Sequence, residues 1–376
     1  MVTPAVLAGF GRAQPGVALN QDQVWQDYFA AHFAHSPGAA RIFSNAGVGG
    51  RHGVVNPAIV DISEWSTEQR MRRYASVAPP LGRTAVTGAM AAAGLDAGDV
   101  GLFAVVSCTG YSTPGLDIVL ADQLGMAPQV QRLFIGHMGC YAALPGIGAV
   151  CDYVVARRQP AVLLCVELPT LHIQPPTRDL QQVVAHALFG DAAAAVAVLP
   201  PGNSTPPEST LPTVPSAGTS TGAPNVAHAA QADLTVLDLI AHTDPSTADQ
   251  MTWEITDQGF RMGLSPRVSE ALAIHVADVV GTLLARHGLT PPDVTGWAVH
   301  PGGPRILDVV EAELKLPAGA LEVSRATLRD HGNCSSATIL IVLQEMVRRR
   351  AVGKGEHLVA MAFGPGLTLY AALLRG

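Results

Sequence analysis

Gly136-His137-Met138-Gly139-Cys140-Tyr141-Ala142-Ala143 is the stretch on which the reading of the fold turns. Before it, Leu133-Phe134-Ile135 reads as a short buried strand. The glycines allow a tight turn and close backbone approach. Tyr141 to Val155, small and apolar, predicts a buried helix, and Pro145 fits only near its start, where a missing N–H costs little. Cys140 then stands where a strand turns into a helix N-terminus. Free N–H groups and the helix dipole favour an anion there, so a lowered thiol pKa and a nucleophile in a fixed position are expected. A cysteine taken alone is more often a buried structural residue. Partners have to decide.

Outward from this elbow, strands and helices alternate. Leu102–Ser107, Ala161–Glu167 and Asp191–Val198 read as buried strands, and Leu116–Leu124 and Leu180–Leu188 as helices. Residues 200–233 change character to Pro, Ser, Thr, Gly and Ala, which cannot form a packed core and read as a surface insertion. Alternation resumes at Leu234–Ala241. Helices are expected near Val268–Arg286, Ile306–Leu314 and Ser335–Arg349, with strands at Trp297–His300, His357–Phe363 and Leu367–Leu374. The pattern predicts an α/β protein of two similar halves, 1–199 and 234–376, with helices covering the sheets.

Composition narrows the function. Of the 376 residues 48% are hydrophobic and 14% charged, enough for an extensive core and a subunit interface. A net charge of −7 gives no basic footprint for nucleic acid or an anionic membrane. The five cysteines (Cys108, Cys140, Cys151, Cys165 and Cys334) have neither metal-ligand spacing nor disulfide-framework density, which points to a reducing cytoplasm. The N-terminus has no basic lead of a signal peptide, and Ala192–Leu199 is too short to span a bilayer.

The second half offers partners for Cys140. Trp297-Ala298-Val299-His300-Pro301-Gly302 places a histidine at a strand end, rigid and exposed at the sheet edge, as a base should be presented. Asp330-His331-Gly332-Asn333-Cys334-Ser335-Ser336 is a turn into a helix, where Asn333 reads equally as a cap. Cys, His and Asn together can form a nucleophile, a base and a neutral orienting hydrogen-bonder. Composition cannot separate that from chance.

The flanking motifs do. GHMGCYAALPG, HALFGDAAAA, WAVHPGGPRIL, HGNCSSATIL and FGPGLTLYAAL occur in this order. Together they closely resemble the type III polyketide synthases, the chalcone-synthase superfamily, from about Arg41 to the C-terminus. The resemblance implies the thiolase fold, five layers in the order αβαβα. It implies Cys140 as the acyl-carrying nucleophile, His300 and Asn333 as its catalytic partners, and Phe189 as a gatekeeper between tunnel and cavity. Met262 falls at a second gatekeeper position that is aromatic in the plant enzymes. Cys108 and Leu171 fall where those enzymes carry cavity threonines, Trp253 where they carry glycine, and Ser335 is also a substrate-contacting position. Arg41 alone matches the basic residues set against CoA phosphates, whereas Arg51 and His52 read as solvated surface charges. The resemblance further implies a homodimer that takes an acyl-CoA starter and a malonyl-type CoA extender, with no cofactor and no metal. The expected products are alkylpyrones or alkylresorcinols and other phenols. Met262 and Leu171 suggest an aliphatic starter in flexible, apolar walls.

The chemistry follows from the residue types. A thiolate held by His300 attacks the starter thioester, and decarboxylation of the extender leaves an enolate. His300 and the Asn333 amide can hydrogen-bond that oxygen as an oxyanion hole does. Two alternatives use similar residues: a thiolase-fold 3-oxoacyl synthase fed by a carrier protein, and a Cys-His-Asn hydrolase. The hydrolase lacks its family's CGSCW-type context around the nucleophile.

Overall fold

The computed structural model describes residues 4–202 and 233–376, so the 200–233 insertion lies, apart from its ends, outside the described residues. In the first half the strands Val6–Ala13, Ala192–Leu199, Ala161–Glu167, Leu102–Val106 and Gln131–Ile135 lie side by side in that order. In the second, Leu234–Thr243, Thr368–Arg375, His357–Gly364 and Val294–Val299 repeat the first four places. The directions repeat as well: antiparallel, antiparallel, then parallel. The two opening strands meet through Val6↔Thr235 and Leu7↔Leu234. The internal duplication is therefore topological.

Side chains alternate between the faces of a strand, so each sheet sorts its apolar residues into two cores. Leu102, Ala104, Leu163 and Val196 of the first half share a core with Ala298, Leu358, Ala360 and Leu374 of the second. The helices Ala143–Arg157 and Ala337–Arg348 fill that shared middle. Phe103, Val105, Leu164 and Val166 face the other way, towards the helix Thr67–Ala93. Trp297, Val299, Val359 and Leu373 face Val268–Ala285. Helix, sheet, helix, sheet, helix make the five expected layers. By length and composition Gly139–Arg157 and Val268–Ala285 could cross a bilayer, but here they are the middle layer and an outer layer of this stack.

Two features were not read from the sequence. Val6–Ala13 is a central strand despite Gly9 and Gly11, because the helix Thr67–Ala93 lies directly on it. A Cβ on Gly9 would come within 2.3 Å of the Ala89 carbonyl oxygen, and one on Gly11 within 2.1 Å of that of Ala85. The other is a hairpin, Met251–Thr256 with Gly259–Leu264, which carries Trp253 and Met262. One expectation is corrected. Leu133-Phe134-Ile135 is a strand but not a buried one: it is the sheet's outer edge, with Leu133 and Phe134 37% and 39% exposed.

Candidate active site

The strand Gln131–Ile135 ends in a turn at Gly136–Met138, and Cys140 sits in a single tight helical turn, Gly139–Tyr141, before the helix Ala143–Arg157. Gly139 has φ of +72°, and a Cβ there would lie 2.6 Å from Cδ of Pro365. The elbow thus needs glycine twice over, for its dihedral and for its neighbour. Cys140 lines a small cavity with Cys108, Phe189, Trp253, Met262 and Ser335. Phe189, Trp253, Met262 and Pro169 also line a second, larger cavity. These side chains are shared by the two.

The thiol does not behave as the elbow alone suggests. Burial pushes Cys140 up to about 12, the Glu167 carboxylate pushes the same way, and hydrogen bonds from Ser335 and Asn333 pull it down. A helix terminus contributes about 0.3–1 kcal/mol, well under one pKa unit. Desolvation wins, and the resting group is a thiol. His300 is likewise fully buried rather than exposed at the sheet edge. Burial pushes its pKa down to about 3, so the ring is neutral, and neither ring nitrogen has a partner among the described residues. Phe363 packs edge-on against it at 5.9 Å.

Asn333 is tied to the gate. Its N–H donates to the Leu188 carbonyl at 2.8 Å, and its own carbonyl accepts from the Gly190 N–H at 3.0 Å, a bridge that straddles Phe189. Its side-chain oxygen accepts from the Ser335 N–H at 2.8 Å, which leaves the amide nitrogen for the Cys140 sulfur. One residue serves both readings, turn and site.

Sequence reasoning missed Glu167, the acid that closes the strand Ala161–Glu167. It is fully buried, and burial raises its pKa. Its carboxylate accepts from the Thr109 hydroxyl at 2.7 Å, the Cys108 N–H at 3.1 Å and the Ser336 hydroxyl. The Cys108 sulfur lies 3.4 Å from this carboxylate and 3.5 Å from Oγ of Ser335, and Ser335 in turn bonds Cys140. A polar relay therefore runs Glu167–Cys108–Ser335–Cys140. The available signal was an acid ending an otherwise apolar strand. The Trp253 indole N–H fixes the same corner by donating to the Cys108 carbonyl at 2.7 Å.

Leu171 is not brought to the site. It is fully buried in the core under the outer helix, while its neighbour His172 lines the larger cavity. Arg41 lies exposed on the short helix Ala39–Ser44, away from both cavities. Arg51, read as a surface charge, is 4% exposed and lines the larger cavity.

Two similar halves that share a middle layer, with the buried Cys140 of one hydrogen-bonded by Ser335 and Asn333 of the other, are the architecture of a thiolase-fold protein. Family models for the chalcone and stilbene synthases match residues 2–201 (N-terminal domain) and 239–376 (C-terminal domain). The chain belongs to this family, the type III polyketide synthases, which perform decarboxylative condensation of CoA thioesters without a cofactor. It is 35% identical over 338 residues to the 1,3,6,8-tetrahydroxynaphthalene synthase of Streptomyces peucetius subsp. caesius, covering 89% of this chain and 82% of the relative. It is 28% identical over 381 residues to the alpha-pyrone synthesis polyketide synthase-like Pks18 of Mycobacterium tuberculosis, covering 98% and 90%. Among solved structures, PKS-I from the brown alga Ectocarpus siliculosus superposes with a TM-score of 0.85 at 27% identity, over 100% of this chain and 99% of that one. The 1,3,6,8-tetrahydroxynaphthalene synthase of Streptomyces coelicolor A3(2) gives 0.85 at 25%, over 98% and 99%.

Proposed function

We propose that Cys140 carries the acyl chain, that His300 and Asn333 are its catalytic partners, and that the product cyclises to a pyrone or a phenol beside Phe189 and Met262. The observation that carries this is the convergence on one cavity: a buried thiol held by Asn333 and Ser335, walled by both gate positions. Neutral His300, with both nitrogens unpartnered, is ready to accept a proton. The Cys140 thiol gives its proton to His300 as sulfur attacks the starter thioester, and the departing CoA thiolate takes that proton away. The extender then loses CO₂, and its enolate oxygen is held by hydrogen bonds from His300 and the Asn333 amide. The enolate carbon attacks the Cys140 thioester, releasing the thiolate and lengthening the chain.

The starter is an acyl-CoA and the extender a malonyl-type CoA. The working unit is a homodimer, a reading supported by the unpaired edge strand Gln131–Ile135, whose exposed Leu133 and Phe134 suit a second copy. Five free cysteines fit a reducing cytoplasm. The division into 1–199, 200–233 and 234–376 is supported by the repeated strand order on either side of the middle segment.

Intact-mass measurement after incubation with an acyl-CoA tests the assignment. Cys140→Ala should acquire no acyl group. Asn333→Asp should still load but should fail to release CO₂ from malonyl-CoA, because a carboxylate repels the enolate. Equal loss of both steps in Asn333→Asp would make the residue a structural one.

A further inference from the structure

Phe189 stands at the end of the helix Leu180–Leu188, and no glycine in the left-handed conformation closes that end. Helices commonly stop on such a glycine, whose turn satisfies the last carbonyls. Here the residue after the last helical one is Phe189 itself, extended, with φ of −78° and ψ of 140°. The last carbonyls are met from far along the chain instead. That of His186 accepts from Nη1 of Arg51 at 2.6 Å, that of Ala187 from Nε2 of Gln21 at 3.0 Å, and that of Leu188 from the Asn333 N–H at 2.8 Å. The Phe189 carbonyl is the second acceptor of Arg51 Nη1, at 2.8 Å.

A side chain points where the two peptide planes beside its Cα direct it, and both planes of Phe189 are pinned. On one side the Leu188 carbonyl accepts from Asn333 and the Phe189 N–H donates to the Ala185 carbonyl at 3.1 Å. On the other the Gly190 N–H donates to the Asn333 carbonyl at 3.0 Å and the Phe189 carbonyl accepts from Arg51. Three of these four bonds run from backbone to backbone. Arg51 makes the fourth through its side chain, so that is the one a substitution removes. Arg51 is itself anchored. Its strand, Gly50–Gly53, accepts the Asp191 N–H at the His52 carbonyl at 2.9 Å, and the Asp191 carboxylate accepts the Val54 N–H at 2.9 Å. The gate backbone has no room to slide: a Cβ on Gly190 would come within 2.5 Å of the His331 carbonyl oxygen and 2.9 Å of Cβ of Arg51.

We propose that Arg51 is a positioning residue: by holding the Phe189 carbonyl it fixes the gate ring, and so sets which acyl-chain lengths Cys140 accepts. This rests on the polyketide-synthase reading of the Cys140 site and adds what holds its gate in place. Arg51 touches no reacting atom. A guanidinium suits the task because its planar head is rigid and because a cation belongs at the negative end of a helix. The Phe189 ring lines both cavities, so a tilt of its peptide plane changes the room left beside Cys140.

The test is competition among alkanoyl-CoAs of increasing length for Cys140, followed by intact mass. One methylene admitted or refused by an apolar pocket is worth about tenfold in specificity. In Arg51→Met the ratio between the chain lengths on either side of the wild-type cut-off should change by about that much. In Arg51→Lys, which keeps the charge on a shorter, non-planar head, it should change by less. In a Phe189→Ala background neither substitution should move the ratio further, because Arg51 acts through the ring. Gln21→Met is the control for a loosened helix end: it removes the Ala187 bond but touches neither plane of Phe189, so Tm should fall with the ratio unmoved. An unmoved ratio in Arg51→Met, an equal shift in Gln21→Met, or a further shift in the Phe189→Ala background each overturns the proposal. Should the Arg51 variants fail to fold, hydrogen exchange in the wild type decides. The Phe189 and Gly190 amides should be protected as well as those of the core strands, and early exchange there overturns the proposal. No loading by any thioester would instead overturn the assignment of Cys140.

Discussion

Glu167 acts on Cys140 from within the wall, adding to the effect of burial. Its hydrogen-bond donors are hydroxyls, a thiol and a backbone N–H, and its charge raises the pKa of both Cys108 and Cys140. Glu167→Gln removes that charge while keeping a similar shape. The Cys140 pKa should therefore fall, and the alkaline rise in its alkylation by iodoacetamide should move to lower pH. An unchanged profile would show that burial alone governs the thiol. The motifs singled out Cys140, Asn333, Phe189 and Met262, which the structure brings together, since glycines and prolines mark turns where side chains present themselves; they singled out His300 as well, but not its burial. Arg51 was not legible. Its neighbours Gly50, His52 and Gly53 give no apolar context, and it is buried by partners such as His186 and Phe189, far along the chain. Leu171 and His172 are adjacent, and which of them faces the cavity depends on a local turn that the sequence does not display.

At the scale of the element, the contact between Val6–Ala13 and Thr67–Ala93 depends on bare backbone. Gly11→Ala would place a methyl against the Ala85 carbonyl, a clash that only backbone movement relieves. A loss of about 1–3 kcal/mol or more is expected from such overpacking. Urea denaturation measures it, and an unchanged midpoint would mean that the helix can lift away freely. The same close approach explains why the strand was overlooked, since glycines weaken a strand pattern read without its partner. Thr67–Ala93 was hidden differently, by Pro79 and Pro80 inside it, although Ser66 and Gln69 form a capping box at its start. Buried strands such as Ala161–Glu167 were legible because they are continuous apolar runs covered on both faces. The hairpin carrying Trp253 and Met262 has no such run, being only half covered.

Across the whole molecule, buried titratable groups set the response to acid. His172, His186 and His300 are held neutral, with pKa values pushed by burial from 6.5 to about 3. Below about pH 6.5 the unfolded chain binds protons at these positions and the folded chain does not, so each favours unfolding by ~1.4 kcal/mol per pH unit down to the folded value. Asp191 and Glu167, raised by burial, act in the opposite sense: they keep protons that their unfolded forms lose as pH rises. Three imidazoles against two carboxyls leave a net loss, and Tm should fall between about pH 7 and pH 5. A rising Tm would mean that the histidines carry charge in the folded protein. Assembly is tested at the same scale. Phe134→Glu places a charge on the exposed edge strand and should convert the proposed homodimer to a monomer in sedimentation; an unchanged dimer would locate the interface elsewhere.

The middle layer also bears on how the chain is made. Its second helix, Ala337–Arg348, packs on Ala192–Leu199 of the first half as well as on Val294–Val299 of the second. A nascent chain that has completed the first half therefore has this sheet face covered by Ala143–Arg157 alone, with Ala194 and Val196 still lacking the cover of Ala337–Arg348. Its cover stays incomplete until nearly the last residues are synthesised. The reactive pocket is born at the same moment as the core that hides it, so premature termination yields a sticky product with no chemistry of its own.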